Sequence, residues 1–330
     1  MNIAVVILNW NGRSLLEQFL PSVIKNSKGA IVYLADNAST DDSVAFVTTT
    51  FPEVRIIQNK INGGYAKGYN DALSKIDADI FCLLNSDVEV TKDWLVPILK
   101  TFQSHTEVAA IQPKILDYKK KTHFEYAGAA GGYIDKLGYP YCRGRIFDSL
   151  EEDNGQYDDA TTIFWASGAC LFIRKQVFEE VGKLDEDFFA HQEEIDLCWR
   201  IHSIGHTIMY EGSSTIYHLG GATLGSMNPR KTFLNFRNSL YLLIKNVPGS
   251  KVWFLIFIRM ILDGLAAIRF ITQGKFSHFF AIFKAHISFY ANFNTFNKKR
   301  KKLSKTGKYY SLFSVVWQYF ILKRKHFDQL

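Results

Sequence analysis

The sequence predicts an α/β fold built on a doubly wound, mostly parallel sheet. Short apolar runs rich in β-branched residues alternate with helical patterns, and the connections between them are short. Several of these runs end in small polar residues, as strands do where an open α/β sheet binds its ligand. With 330 residues, 47% of them apolar, the chain is long enough for one large domain or two, and its composition excludes a disordered protein.

Strand and helix patterns alternate from the first residues onward. The run at residues 3–8 predicts a central strand buried on both faces, and because no basic segment precedes it, we do not expect a signal peptide. Apolar residues at helical spacing predict a helix over 14–27. Further strands are predicted at 31–34, 54–57 and 80–84, with helices beginning near residues 43 and 64.

The polar residues after the strand at 80–84 form the main candidate for cation binding. Asn85, Ser86 and Asp87 follow this strand directly, and the earlier strands end similarly at Asn9 and Asp36. A carboxylate at such an edge can hold Mg²⁺ or Mn²⁺, which take oxygen ligands and share substrate phosphates. The alternative is that Asp87 only caps a turn, because Asn, Ser and Asp all favour turns.

A glycine cluster, Gly63, Gly64 and Gly68, opens the helix predicted after residue 62. N–H groups at such a helix start could meet a phosphate, although a tight turn followed by a helix explains the cluster equally well. The spacing matches neither the dinucleotide fingerprint nor the phosphate loop of nucleotide hydrolases.

The middle of the chain gives weaker patterns. They predict a strand at 111–115, a hairpin or irregular loop at 124–145, a mobile acidic surface loop at 148–159, a strand–bend–strand unit at 162–173 and a short helix at 177–181.

Four motifs, in order, resemble those of the inverting family 2 glycosyltransferases, and the rhamnosyltransferase-like branch in particular. They are residues 8–11 (LNWN), 36–41 (DNASTD), 62–68 (NGGYAKG) and 84–87 (LNSD). The resemblance implies a GT-A fold over residues 1–245, meaning a doubly wound mixed sheet flanked by helices. It also implies a nucleotide-diphosphate sugar donor, such as a UDP- or dTDP-sugar, and a divalent cation, Mg²⁺ or Mn²⁺. The donor-binding residues that it implies are Asn9, Asn11, Asp36, Asn62, Gly64, Lys67, Asn85, Ser86 and Arg237.

The resemblance also implies a catalytic base and two cation ligands. Inverting transfer needs a carboxylate to take the proton of the acceptor hydroxyl, and family members carry a Glu-Asp pair where this chain has Glu193 and Glu194. Glu194 is therefore the expected base, and Glu193 is expected to orient the acceptor or a loop. The alternative is that these acids only decorate the first turn of a helix, where the helix dipole favours them.

His218 and Arg237 complete the expected site. His218, in residues 217–223 (YHLGGAT), is implied as a ligand of the cation beside Asp87, although a lone histidine can be merely structural. Arg237 precedes an asparagine in a predicted helix, as is common in this branch. It is expected to reach the diphosphate or the acceptor, unless it simply lies along the helix surface.

The last hundred residues are strongly basic. Residues 230–330 carry 19 Lys and Arg but 2 acidic residues, whereas residues 1–229 carry 20 and 30. Amphipathic helical patterns at 252–271 and 276–296 precede a polybasic run at 298–302 and an aromatic-rich stretch at 309–322. We therefore predict that residues 246–330 form a helical extension on an anionic membrane surface. An ordinary helical subdomain with a solvated basic face is the alternative, and no nucleic-acid motif accompanies the charge.

The resemblance implies an enzyme that transfers a sugar to a hydroxyl of a glycan or lipid-linked acceptor in cell-surface polysaccharide assembly, and the basic C-terminal segment predicts that it is cytoplasmic and peripheral to the membrane. A sugar-1-phosphate nucleotidyltransferase is a rival, but it would need a glycine-rich basic loop that residues 7–13 lack. A catalytically inactive glycan- or lipid-binding scaffold is disfavoured because candidates for both a base and a cation ligand are present. Release of nucleoside diphosphate, of pyrophosphate or of neither separates the three.

Overall fold

A computed structural model describes residues 1–220, 228–302 and 308–330 of the chain. The end of the histidine motif, residues 221–223, lies outside the described residues. Among the described residues, nine strands form a main mixed sheet and four short strands form a second sheet.

The bounds of the elements follow the predicted alternation. The strands are β1 Ile3–Asn9, β2 Ala30–Asp36, β3 Arg55–Gln58, β4 Ile80–Asn85, β5 Val88–Val90, β6 Val108–Asp117, β7 Gly132–Ile134, β8 Pro140–Cys142, β9 Arg145–Ile146, β10 Ser149–Leu150, β11 Ala160–Thr162, β12 Cys170–Arg174 and β13 Thr207–His218. The helices are α1 Arg13–Asn26, α2 Ser43–Thr50, α3 Gly64–Leu73, α4 Leu95–Ser104, α5 Lys175–Glu180, α6 Glu193–Ser203, α7 Pro229–Asn246, α8 Val252–Thr272, α9 Phe276–Ala291 and α10 Phe293–Lys302.

The strand order of the main sheet is β11-β13-β6-β12-β4-β1-β2-β3, with β5 paired to β13. Parallel pairing of β1 with β2 and β4 brings the carboxyl ends of these three strands to one edge. There, Asn9 lies opposite Asp36, and Leu8 lies opposite Asn85. The predicted gathering of polar strand ends is therefore confirmed. The sheet is mixed because β12 runs antiparallel between β4 and β6.

Both faces of the sheet are covered, which explains the continuous apolar runs. Val5 packs in one core cluster with Leu20 of α1, and Val6 packs in another with Tyr69 of α3. The four cysteines are all buried and free. The second sheet is the predicted hairpin at 124–145, continued by β10.

The acidic segment at 148–159 differs from its prediction as a mobile loop. Lys114 is buried and forms an ion pair with Asp153 at 2.9 Å and another with Asp158. The Tyr157 hydroxyl donates to the buried Glu151 carboxylate at 3.0 Å. These contacts fix the segment, because a buried ammonium group needs partner charges.

The C-terminal helices share the core of the sheet domain. Val252 and Leu255 of α8, Phe289 of α9 and Phe296 of α10 are buried in the same cluster as Tyr69. Beyond α10, residues 308–330 return to the second sheet, where Val315 packs against residues of β8 and β9. No helix in the described part of the chain combines the length and the apolar character needed to cross a membrane.

The polybasic run at 298–302 is turned partly inward, contrary to its prediction as a headgroup-binding segment. Arg300 is buried and donates to the carbonyl oxygens of Ile244, Val247 and Gly249, which closes the end of α7. Lys299 forms ion pairs with Asp185 and Asp187. These two cations stabilise the fold, while Lys298 is exposed.

Candidate functional site

Asp87 and His218 lie in direct contact at the carboxyl edge of the main sheet. The Asp87 carboxylate follows β4, and β13 ends at His218, whose Nε2 is 3.1 Å from Asp87 Oδ1. The amide nitrogen of Asn85 lies 3.4 Å from the same Nε2. The backbone fixes this pair, because the Leu219 N–H donates to the Asp87 carbonyl oxygen at 3.0 Å.

A second carboxylate, Glu125, stands on the other side of the imidazole. Its Oε2 is 3.3 Å from His218 Nδ1, and all three side chains are buried. Burial alone would lower the pKa of His218, but the charge of Glu125 and the hydrogen bond with Asp87 outweigh it and raise that pKa to about 10. The imidazole is therefore buried between two carboxylates.

The Asp87–His218 pair can take a divalent cation once Nε2 has lost its proton, because the cation then occupies the position of that proton between the nitrogen and the carboxylate. A carboxylate oxygen and an imidazole nitrogen are established ligand types for such ions, Mn²⁺ included. Within residues 1–220, 228–302 and 308–330, no group of three or more His, Cys, Asp or Glu side chains is arranged to hold a metal ion. The role of Asp87 and His218 as cation ligands stays a prediction.

Asn9 and Asp36 hold the loop after β2. Asn9 is fully buried, and its amide donates to Asp36 Oδ1 at 3.1 Å and to the hydroxyls of Ser39 and Ser43. The Asp36 carboxylate accepts from the Ser39 N–H at 3.0 Å. Asn11 binds the same loop, because its Oδ1 accepts from the Thr40 N–H at 2.7 Å. These side chains shape the loop, and their contact with a donor stays a prediction.

The start of α3 is closed, so its N–H groups do not offer the predicted phosphate site. The N–H groups of Tyr65 and Ala66 both point to the Phe189 carbonyl oxygen, at 2.8 and 3.4 Å. Asn62 Oδ1 accepts from the Gly64 N–H at 3.0 Å. Gly64 is required here because its φ is +80° and a Cβ would lie 2.6 Å from the Phe189 oxygen.

The remaining predicted donor residues lie at the rim of this region. Lys67 forms an ion pair with Asp71 one turn along α3, at 3.0 Å, and lies 3.8 Å from Glu186. Ser86 lies in the turn between β4 and β5. Contact of Lys67 or Ser86 with a donor stays a prediction.

Glu193 and Glu194, here called the acid pair, open α6. One oxygen of each carboxylate is buried without a hydrogen-bond partner. Burial raises the pKa of Glu194, and the backbone N–H groups at the helix start lower it; burial is the larger effect, and the pKa is about 7. Burial and the charge of Glu194 raise the pKa of Glu193 well above its usual range. The pKa of Glu194 thus lies near neutral pH, in the range that suits a general base.

Arg237 and Asn238 hold the loop that precedes α6. The Arg237 guanidinium donates to the carbonyl oxygens of Asp187 and Phe188 at 3.3 and 2.9 Å. Asn238 donates to three carbonyl oxygens in this loop, including that of His191 at 2.6 Å. The donors of Arg237 therefore serve the loop in this structure, and a contact with diphosphate stays a prediction.

The loop needs this support because its backbone is strained. Phe189, His191 and Gln192 all have φ between +66° and +70°, a region that costs energy for residues other than glycine. Behind it, Asp196 of α6 is fully buried and bonded to Arg200, Lys245 and Asn246. Strained backbone that is held by many contacts is typical of functional sites.

Tyr65 lies near the acid pair and is bonded to the backbone that pairs with Asn85. Burial is the main cause that raises the pKa of the Tyr65 hydroxyl well above its usual range, followed by Tyr69 and then by the charges of the acid pair. This hydroxyl donates to the Gly168 carbonyl oxygen at 2.7 Å. The next residue, Ala169, accepts the N–H of Asn85 at 3.0 Å. The structure thus brings Asp87, His218 and Asn85 together directly, and the convergence of Glu194 on the same edge stays a prediction.

Sequence reasoning missed Glu125, Tyr65 as a link, and Lys231. Burial lowers the pKa of Lys231, and the charge of Glu125 partly offsets this effect. Burial and the charge of Lys231 lower the pKa of His191 to about 4. Lys231 of α7 is therefore near enough to Glu125 and to His191 for the charges to act on one another. Tyr65 stood within a recognised motif, but no periodicity or spacing marked Glu125 or Lys231.

Comparisons with known proteins show which family the sequence resembles. The model of the family described as glycosyl transferase family 2 matches residues 4–182. The N-acetylglucosaminyl-diphospho-decaprenol L-rhamnosyltransferase of Mycobacterium tuberculosis is 25% identical over 284 residues, which cover 80% of this chain and 90% of that protein. A low-salt glycan biosynthesis hexosyltransferase of Haloferax volcanii, Agl10, is 24% identical over 60% of this chain and 61% of its own length.

Solved structures show the same fold. A mannosyltransferase from Pyrobaculum calidifontis, in complex with GDP-Man and Mn²⁺, has a TM-score of 0.53 at 12% identity, over 91% of this chain and 84% of that chain. GalNAc-T7 with UDP, GalNAc and Mn²⁺ has a TM-score of 0.57 at 17% identity, over 74% of this chain and 48% of that chain.

Proposed function

Because this chain belongs to glycosyl transferase family 2, we propose that it transfers a sugar, with inversion, from a nucleotide-diphosphate sugar to a hydroxyl group. The observation that carries the proposal is the direct contact of Asp87 with His218 at the carboxyl edge of the main sheet, a pair suited to a divalent cation. The buried acid pair, whose Glu194 has its pKa raised to about 7, supports the proposal.

In the proposed reaction the chain's own residues divide the work. Glu194 takes the proton of the acceptor hydroxyl. At the same time the oxygen of that hydroxyl attacks the anomeric carbon from the face opposite the diphosphate, and this geometry inverts the configuration. Glu193, with one buried oxygen unpartnered, orients the acceptor. Asp87 and His218 hold Mg²⁺ or Mn²⁺, which when bound supplies positive charge for the departing diphosphate. The loop held by Asn9 and Asp36 receives the nucleoside.

We propose a UDP- or dTDP-sugar as donor and a glycan or lipid-linked acceptor, in the assembly of a cell-surface polysaccharide. Support comes from the mycobacterial relative, whose name specifies rhamnosyl transfer to a diphospho-decaprenol acceptor, and from structural neighbours solved with UDP or GDP-Man and Mn²⁺. We also propose that the protein works at the cytoplasmic face of a membrane, with residues 246–330 as the attaching part. The basic charge of residues 230–330 supports this location.

The test is a thermal-shift screen of nucleotide sugars with Mn²⁺ or Mg²⁺, followed by an assay for nucleoside diphosphate release. We expect Asp87→Asn, which keeps the size of the side chain, to lower turnover by at least about a hundredfold while the melting temperature changes little, because one charged cation ligand is lost. Release of pyrophosphate would favour a nucleotidyltransferase. Binding without release of either product would favour a scaffold.

A further inference from the structure

Helices α8 and α9 bury a polar cluster on one side and expose many large apolar side chains on the other. In α8, Arg259 and Asp263 are buried and form an ion pair at 3.0 Å. The Arg259 guanidinium also donates to the carbonyl oxygens of Leu137 and Gly138. His286 of α9 approaches the same Asp263 at 3.2 Å. The polar side of this helix pair is thus satisfied by the protein itself.

The opposite side of the pair is apolar and open. Five side chains of α8 are between 51% and 65% exposed, and five of α9 are between 53% and 62% exposed. On each helix the five positions lie within about a quarter of the circumference. We call them the outer face; they are Phe254, Phe257, Ile261, Leu265 and Ile268 of α8, and Phe276, Phe280, Phe283, Ile287 and Tyr290 of α9.

The two helices lie side by side, so the outer face is one continuous surface. Trp253 stacks near Phe293 at the start of α10, with ring centroids 5.7 Å apart. The Tyr290 hydroxyl lies 3.2 Å from Met260 Sδ. Phe270 and His278 face each other at the turn between the helices, with centroids 5.0 Å apart. The outer face holds ten large apolar side chains, each more than half exposed, along about 30 Å, the length of α8, and an exposed apolar patch of this kind marks an interaction or membrane surface.

Charge identifies the occupant of this face. Basic side chains flank it: Lys251 and Arg269 are exposed on the α8 side, and Lys284 is exposed on the α9 side. Among residues 246–302 and 308–330 that the structure describes, Asp328 is the one exposed acidic side chain. A second copy of the chain would bring like charges together at such an edge. A lipid surface offers an apolar layer bordered by phosphate groups, which matches both features.

We infer that the outer face of α8 and α9 inserts into the interfacial layer of a bilayer, with both helices parallel to the membrane plane. This inference deepens the proposed membrane location. It replaces attachment by a polybasic run with insertion of apolar side chains, since Lys299 and Arg300 of that run are bound within the protein. A helix of this kind sinks about 5–10 Å into the boundary between headgroups and acyl chains.

The test is co-sedimentation of the full-length protein with phosphatidylcholine vesicles, with and without an anionic lipid, and with no donor present. Insertion predicts binding to purely zwitterionic vesicles that persists at about 1 M NaCl, where charge interactions are screened beyond about 3 Å. Anionic lipid should increase binding only at low salt. Loss of all binding at high salt would overturn insertion and leave attachment by charge.

Matched variants locate the contact. Phe257→Glu with Phe283→Glu places two charges on the outer face, at positions 61% and 59% exposed. We expect this variant to lower vesicle affinity by about a hundredfold, since two aromatic side chains no longer leave water. Ile61→Glu with Val96→Glu, at positions 59% and 60% exposed, adds the same charge elsewhere and should bind as the unmodified protein does.

Besides loss of binding at high salt, two further results would overturn the inference. One is equal vesicle binding by both double variants. The other is a dimer, measured by light scattering without lipid, that only the outer-face variant dissociates, which would make a second copy the occupant. A thermal shift by UDP with Mn²⁺, compared between the variants, keeps this outcome separate from the transferase proposal, because that shift does not depend on lipid.

Discussion

Glu194 combines burial with an unpartnered oxygen, and this combination has a kinetic signature. With its pKa at about 7, the ionised base is lost as the pH falls below 7. We therefore expect kcat/KM to fall about tenfold per pH unit on the acid side and to level off above pH 8. Nucleoside diphosphate release measured between pH 5 and 9 checks this, and an acid limb near pH 4.5, the ordinary value for glutamate, would contradict it.

Substitution separates the two members of the acid pair. Glu194→Gln removes the proton acceptor and should abolish transfer, while the thermal shift produced by the donor and Mn²⁺ remains. Glu193→Gln keeps the size of the side chain and should retain measurable turnover, because the base is intact. If Glu193→Gln is inactive while Glu194→Gln turns over normally, the roles of the two acids are reversed.

Glu125 is expected to act on the cation through His218. A histidine that binds a metal through one nitrogen is normally oriented through the other, and Glu125 is placed to do this at Nδ1. Glu125→Gln should therefore weaken Mn²⁺ binding, measured by calorimetry in the presence of UDP, by about ten- to a hundredfold. Glu107→Gln, at an exposed carboxylate, is the control. Unchanged affinity in Glu125→Gln would show that Glu125 only fills space.

The loop from Asp187 to Gln192 depends on helix α7 for its shape. Because Asn238 satisfies three loop carbonyl oxygens, Asn238→Ala should cost about 1–3 kcal/mol of stability and lower kcat more than it raises KM. Denaturant unfolding and steady-state kinetics measure the two effects. Asn294→Ala, at an exposed position of α10, should change neither quantity. A changed stability with unchanged kcat would mean that the loop does not position the acid pair.

Elements whose pattern is local could be predicted, and those defined by distant partners could not. The strands that end at Asn9, Asp36 and Asn85 were readable because an apolar run stops abruptly at a polar residue. Arg300 was predicted as part of an exposed basic run, since nothing near it in sequence reveals the carbonyl oxygens at the end of α7 that it binds. For the same reason the sequence left two explanations of the glycine cluster at α3 open, a phosphate site and a tight turn, because Phe189, whose carbonyl oxygen closes this helix start, is more than a hundred residues away.

The same limit applied to the site. Asp87, Glu194 and His218 were identified through motifs that the chain shares with a family. Glu125 has no such motif, and its partner His218 lies far along the chain. The acidic segment at 148–159 resembled a mobile loop because its partner Lys114 belongs to a different element.

At the scale of the whole molecule, the C-terminal helices are part of the fold. Removing everything after Val247 would expose the core that Val252, Leu255, Phe289 and Phe296 cover. Each such side chain contributes about 1.5–3 kcal/mol on burial, and their sum approaches the whole stability of a typical domain. We expect the truncated chain to lose its cooperative thermal transition and to elute as aggregate. A monomer with an unchanged melting temperature would show that residues 248–330 are dispensable.

One oxygen atom, the carbonyl of Phe189, receives the first N–H groups of α3 and belongs to the loop that leads into α6. A shift of either element must therefore pull on the other through a single peptide unit. An engineer who substitutes Gly64 should expect the acid pair at the start of α6 to move as well, because a Cβ there would meet this same oxygen.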